Sequence, residues 1–264
     1  MKQKKWNSYR LPLEEHRLWE LYNENSKLPS FHQDPFSRSE LEETLKEINL
    51  VLPVRAETFI SLEPKQDIKM NDIFELLTSN QASAPFIKTQ IPFTDLSNIL
   101  HLSFEANKED VMNIEKALSS PAVISPLEIY ILIQDISGIT PGIYHFDPFE
   151  SRLGLIRKEV SERLIQNLFL KEEGPGYANI YVFITGVFNK SAQIYGERGY
   201  RYILLEAGKL SQKLSLAAKA MGLGSESHVR FIDRRVEDLL SIDGVKHSIL
   251  SILAMGKPQT QKAK

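Results

Sequence analysis

IYGERGYRYILLEAGKLSQKLSLAAKAMGLG, residues 194–224, runs from a Tyr-Gly turn and a tight Arg/Tyr cluster straight into a long helical pattern. Its apolar residues Ile203, Leu204, Leu205, Leu210, Leu214, Leu216, Ala217, Ala220 and Met221 cover more of the circumference than the stripe a surface helix needs. Gly222 and Gly224 then end it. A helix of this kind belongs in a core or at a subunit seam.

Strand patterns flank that helix. LEIYILIQ (127–134) is a nearly continuous apolar run that suits a buried strand, GIYHFD (142–147) follows a Gly-Ile-Thr-Pro turn, and SRLGLI (151–156) completes a meander. A helix around Ser161–Phe169 precedes the strand ANIYVFITGVF (178–188), and a short helix near Arg235–Leu240 precedes the strand HSILSILAMG (247–256). Upstream, helical patterns lie at Leu13–Asn23, at Glu40–Asn49 behind a capping box Ser39-x-x-Glu42, at DIFELLTS (72–79), and from an N-cap at Thr94. The order of elements predicts an α+β layer structure: a 1–70 N-terminal extension, partly helical, a 71–257 core, and a 258–264 tail.

The 264 residues, 42% hydrophobic and 25% charged, are enough for one substantial core. A formal charge of −2 gives no global attraction to nucleic acid or anionic membrane, and no stretch approaches the length that spans a bilayer. We therefore expect a cytoplasmic protein with no nucleic-acid or membrane partner. Zero cysteine excludes disulfides, thiolate metal sites and Cys nucleophiles, so redox chemistry would need a cofactor. No Gly-rich turn of the dinucleotide or phosphate-loop kind follows a strand, and there is no Gly-x-Ser-x-Gly elbow. The six histidines lack zinc-ligand spacing, so no metal site is expected, and His145, alternating with Tyr144 and Phe146, reads as structural. Arg198 and Arg201, flanking Tyr200 near Glu206, read as an ion-pair network at the helix start.

Four ordered segments carry a family resemblance: PLEIYILI (126–133), GITPGIYHFDP (138–148), YGERGYRYILLEAGKLSQKL (195–214) and GLGSESHVRFIDRRVEDLLSIDG (222–244), with a weaker echo at YNENSKL (22–28). Their order and spacing resemble the SagB-type dehydrogenases, the azoline oxidase branch of the nitroreductase-like flavoproteins. The resemblance implies a mixed sheet covered by helices, with the long central helix at a dimer seam. It also implies FMN as cofactor, thiazoline or oxazoline rings in ribosomally made peptides as substrate, and a homodimer or a heteromer with a related subunit, in company with a cyclodehydratase.

The chain departs from the family's pattern in four places. Where the family holds the FMN phosphate with an Arg-rich segment, Asn80, Gln81, Ala82, Ser83 and Ala84 stand here, leaving Lys88 and Lys257 as nearby cations. The loop that resembles the flavin-ring loop reads Ser119, Ser120, Pro121, Ala122, Val123, and its backbone at Ser119, Ser120 and Ala122 would lie round the ring. A Gly-Gly-Phe turn is replaced by Val229, Arg230 and Phe231, so that Arg230 either fills flavin space or supplies a phosphate contact. In the catalytic Lys-Tyr pair implied by the resemblance, Ile194 occupies the lysine position and Tyr195 keeps the tyrosine as the surviving acid/base group. Tyr195 can equally be a core aromatic with its hydroxyl on a backbone carbonyl. Two functions follow: an FMN-dependent azoline dehydrogenase, or a subunit that keeps the fold without flavin and serves as a binding partner in a peptide-modifying complex.

Overall fold

The computed structural model describes residues 22–23, 25–27, 37–48, 50–64, 85–104, 110, 113, 115–116, 124–170 and 174–259. Its elements in chain order are α1 (Arg38–Glu47), β1 (Thr58–Ser61), β2 (Ile91–Pro92), α2 (Phe93–Ser103), β3 (Leu127–Ile133), β4 (Ile136–Ser137), β5 (Gly142–Asp147) and β6 (Arg152–Lys158). There follow α3 (Glu162–Gln166), β7 (Ile180–Val187), α4 (Phe188–Tyr195), α5 (Arg198–Ala220), β8 (Gly224–His228), α6 (Asp233–Leu240) and β9 (His247–Gly256).

The apolar runs become the middle of one seven-stranded sheet, in the order β1-β6-β5-β3-β7-β9-β8, every neighbouring pair antiparallel. Among the described residues, parallel pairing is confined to the two-residue pair β2–β4. The central strands read as continuous hydrophobic runs because both faces of the sheet are covered, and their alternation divides each run between two cores. Ile129, Ile131, Ile133, Ile180, Val182 and Ile184 point toward α2 and α5, while Tyr130, Leu132, Tyr181 and Phe183 point toward α3 and α6.

Helix α5 lies over the first core through Ala207, Leu210, Leu214, Ala217 and Ala218, at three- and four-residue spacing. Gly186 of β7 makes room for it: a Cβ there would come 2.8 Å from Ile203 Cγ2. The helix ends in a Schellman motif, with Leu223 N–H on Ala218 O, Gly222 N–H on Lys219 O, and Gly222 at φ 71°, as the glycine pattern anticipates. The remaining face of α5 exposes Tyr200, Leu204 and Leu205, at 44, 44 and 63%.

Several local expectations shift. The capping box of α1 is Ser37-x-x-Glu40 and not Ser39-x-x-Glu42: Ser37 N–H donates to Glu40 Oε2 at 2.7 Å and Ser37 Oγ accepts from Glu40 N–H at 3.3 Å. Both spacings exist in the sequence, and the chain turns helical at the first. Helix α2 starts one residue before Thr94, with Pro92 as an N-cap that makes no side-chain bond. Strand β1 was not foreseen in the N-terminal extension, yet it pairs with β6 as a sheet edge. The helical pattern at DIFELLTS lies outside the described residues, as does all but the end of the one at Leu13–Asn23.

Candidate functional site

The antiparallel register separates the expected site residues between two ends of the sheet. At one end, the chain after β9 pairs with the segment just downstream of Asn80–Ala84: Ile87 N–H donates to Lys257 O, and Gln259 N–H to Pro85 O, both at 2.9 Å. Phe86 lies across Gly224 and Gly256, where a Cβ would meet its ring at 2.9 and 2.8 Å, so both positions need glycine for this closure. Asn179, fully buried, donates to Thr89 O at 2.6 Å and Asp135 O at 3.0 Å, and accepts from Lys257 N–H at 3.4 Å. Lys257 is thus set on a backbone hydrogen-bonded to the Pro85–Ile87 segment. Lys88 is engaged elsewhere, 2.5 Å from Glu162 and over the Tyr177 ring.

At the other end, β8 runs out through His228 to an exposed Val229 and Arg230. The register pairs Gly224 with Gly256 and His228 with Ile252, about 14 Å of strand, and Lys257 and Arg230 lie beyond its two ends. One phosphate cannot be shared between them. Ser119, Ser120 and Ala122 lie outside the described residues, as do Asn80–Ala84; the chain resumes at the buried Ile124 and at Ser125, whose φ of 47° is left-handed.

Tyr195 closes α4. Its ring meets Tyr202 edge-on at 5.1 Å and packs on the small core of Leu41, Leu45, Ile124 and Ile194. Burial, with Tyr202 and Glu206 adding, pushes its phenol well above the ordinary range. Such a hydroxyl stays protonated near neutral pH, so it can donate or accept a hydrogen bond but is no base at that pH. Among the described residues, Arg198 and Arg201 of the Arg/Tyr cluster beside it bond Tyr, Ser and Asn oxygens and not the carboxylate anticipated at Glu206. Arg198 donates to Tyr202 Oη at 2.8 Å and to Ser26 O at 2.9 Å, Arg201 to Asn23 Oδ1 at 3.1 Å and Ser26 Oγ at 2.5 Å, while Glu206 pairs with Lys209. Both guanidiniums therefore tie residues 23–26 to the start of α5.

The largest polar feature at this end escaped sequence reasoning. Glu128, 2% exposed, accepts from Lys190 Nζ at 2.8 Å and Leu52 N–H at 2.9 Å on one oxygen, and bonds His145 Nε2 at 2.7 Å on the other. Lys190 spends its other protons on Leu50 O at 3.0 Å and Ser125 O at 3.3 Å. Burial alone would raise the Glu128 carboxyl; His145 and Lys190 outweigh it and hold the group below its ordinary value. Thr185 donates to Glu128 O at 2.8 Å and meets His247 Nε2 at 2.7 Å, so the imidazole nitrogen is the donor of that pair. Burial depresses His247 to about 4. An acid in the middle of an otherwise apolar strand is the signal that could have disclosed this cluster, because a buried carboxylate requires partners. With every proton of Lys190 committed, the ammonium clamps the 50–52 segment to β3 and α4 and is not a free base beside Tyr195.

Tyr130 and His247 of this cluster also form the floor of an open cleft of about 860 Å³, walled by Leu52–Arg55, Ile156 and the end of α6. Among the described residues no group of three or more His, Asp or Glu could hold a metal ion, and no helix is long and apolar enough to cross a membrane.

The nitroreductase family profile matches residues 86–257. MJ1384 of Methanocaldococcus jannaschii, which carries a nitroreductase name, is 27% identical over 183 residues, covering 69% of this chain and 89% of its own. The trifolitoxin-processing protein TfxB of Rhizobium leguminosarum bv. trifolii is 28% identical over 195 residues, 66% of this chain and 51% of TfxB, so the chain spans about half of that relative. A nitroreductase structure from Anabaena variabilis superposes with a TM-score of 0.63 at 24% identity, over 76% of this chain and 42% of that one. A chain of the Escherichia coli microcin synthetase McbBCD complex, solved with truncated pro-MccB17 bound, superposes with a TM-score of 0.59 at 17% identity, over 96% of this chain and 100% of that chain.

Proposed function

This chain belongs to the nitroreductase family, and from that premise we propose that it is an FMN-dependent oxidoreductase of the SagB type that dehydrogenates thiazoline or oxazoline rings in ribosomally made peptides. Its relationship to TfxB and its likeness to a chain of the McbBCD complex support the peptide setting. The observation that carries the cofactor reading is the edge strand β8 with its neighbour β9. They set Lys257 at one end, against the Pro85–Ile87 segment, and Arg230 at the other, one cation towards each end of an extended cofactor. FMN, when bound, accepts the hydride equivalent removed from the azoline.

The chain's own residues divide the remaining work. Lys257 supplies the phosphate with a charge-assisted donor on a rigid backbone. Arg230 supplies a cation at the ring end, and the backbone of Ser119, Ser120 and Ala122 would flank the ring. Tyr195 holds its proton on the phenol oxygen and would hydrogen-bond the substrate, while the proton that the azoline loses along with the hydride passes to water. Replacing Lys257 by alanine is expected to weaken FMN binding about 10- to 100-fold, the worth of one charge-assisted contact, as read by flavin fluorescence quenching. Tyr195→Phe should leave that affinity intact and slow azoline oxidation. A folded native protein that binds no FMN would overturn the proposal and leave the non-catalytic subunit.

The same reading places α5 at a subunit seam, in a homodimer or against a related subunit, with a cyclodehydratase in the assembly. Tyr200, Leu204 and Leu205 form the uncovered apolar stripe that such a partner would bury. Light scattering on the purified chain should give a dimer mass, and the pair Leu204→Glu and Leu205→Glu should give a monomer with unchanged far-UV circular dichroism. A native monomer that stays single when mixed with related subunits would rule the seam out.

A further inference from the structure

The cleft over Tyr130 and His247 lies on the α6 face of the sheet, the opposite face from α5. Three cations stand on its walls: Arg55 ahead of β1, Arg157 in β6 and Lys246 just before β9. All three are exposed, and among the described residues none has a carboxylate partner. The one acidic residue in the lining, Asp243, is occupied. Its Oδ1 accepts from the N–H groups of Val245, Lys246 and His247 at 2.6, 2.6 and 3.2 Å. The lining sets three cations against this one carboxylate, and so keeps a net positive charge above an aromatic and apolar floor.

Topology fixes how that charge is spread. Glu57 N–H bonds Leu155 O, so the antiparallel pair continues backward and brings Arg55 beside Arg157 at one end. Lys246 stands at the other end, and between β6 and β9 lie β5, β3 and β7. Those four strand spacings put the backbones at least about 19 Å apart. A single phosphate or carboxylate placed at either end leaves the opposite cation unmet. An extended polypeptide of about six residues or more covers the distance at about 3.3 Å per residue.

We propose that this cleft binds an extended peptide segment carrying acidic residues at both ends of an apolar stretch, one end held by Arg55 and Arg157, the other by Lys246, with the apolar part over Tyr130 and the α6 wall. The proposal deepens the reading that this chain handles peptides, and it does not require flavin. Peptide docked here would be gripped on the opposite face of the sheet from α5.

The test is fluorescence anisotropy with a fluorescein-labelled peptide of about seven residues, Glu at each end and Leu, Val and Ala between, titrated with the full chain. Binding should weaken about tenfold in Arg157→Glu and again in Lys246→Glu, and should fall as salt rises. It should persist in Lys257→Ala, which impairs only the proposed flavin site, so the two readings fail separately. Equal binding of a probe with Gln at both ends would overturn the proposal, as would unchanged affinity in both charge reversals or no binding to the native chain. Displacement of the peptide by inorganic phosphate, FMN or an RNA oligonucleotide at lower concentration than by unlabelled peptide would assign the cleft to that ligand instead.

Discussion

Glu128→Ala is expected to lower the unfolding free energy by roughly 3–5 kcal/mol, the largest single effect in the molecule. The substitution strands the Lys190 ammonium, 5% exposed, and the His145 ring, 2% exposed, without the carboxylate that both face. It also frees Leu52 N–H, and with it one of the bonds that fasten the 50–52 segment to the sheet. A domain of ordinary stability has only about 5–15 kcal/mol in all, so the midpoint of urea unfolding should drop sharply. Glu128→Gln keeps the acceptor but not the charge and should fall between. Removing both charges at once, Glu128→Met with Lys190→Met, should recover much of the loss, because neither ion is then left buried alone. A loss below about 1 kcal/mol in Glu128→Ala would mean that the cluster is solvated and contributes little.

The second expected result is an acid limb of stability that belongs to His247. Its folded-state value, about 4, lies below the ordinary 6.5 because burial disfavours the imidazolium. Between those values the unfolded chain takes up a proton that the folded chain refuses, so stability falls as the pH is lowered from about 6.5 to about 4. At roughly 1.4 kcal/mol per pH unit the total is about 3 kcal/mol. Glu128 acts lower down. Its carboxyl, held below the ordinary range, stabilises the fold above the ordinary carboxylate value, and that contribution is lost as the pH drops through the depressed one. Urea midpoints at pH steps from 7 to 4 measure the limb. His247→Gln, which keeps a donor for Thr185, should flatten it; a limb of unchanged slope in that variant would assign the protons to other groups.

How much of this was legible depended on where water is excluded. Ile129–Ile133, Ile143–Phe146 and Ile180–Ile184 were readable as strands because both faces of the central sheet are covered and leave no polar positions to blur the run. TFIS of β1 and GSESH of β8 sit at the two sheet edges, where side chains meet solvent and apolar patterning fades. The long helix was evident because Gly222 and Gly224 stop it. Its companion α4 was not, since its eight residues begin immediately after β7 without a side-chain cap. Tyr195 and Lys257 were singled out by the family resemblance, which is local in the sequence. The Glu128–Lys190–His145 cluster was hidden, because its members lie 17 and 62 residues from Glu128 and meet only once β3, β5 and α4 are packed. The pairing of Arg198 and Arg201 with residues 23–26 was invisible for the same reason.

Strand β9 lies between β7 and β8, pairing residue 180 with 255 on one side and 224 with 256 on the other. Everything else in the sheet is synthesised first, yet β7 and β8 share no hydrogen bonds, so a growing chain holds a five-stranded unit with an open edge at β7 and an unpaired β8. Contacts of such long sequence separation close slowly, and the waiting edges are available to other chains. The last strand of this sheet to be made is therefore its keystone, and the interval before it arrives leaves the open edge most exposed to aggregation.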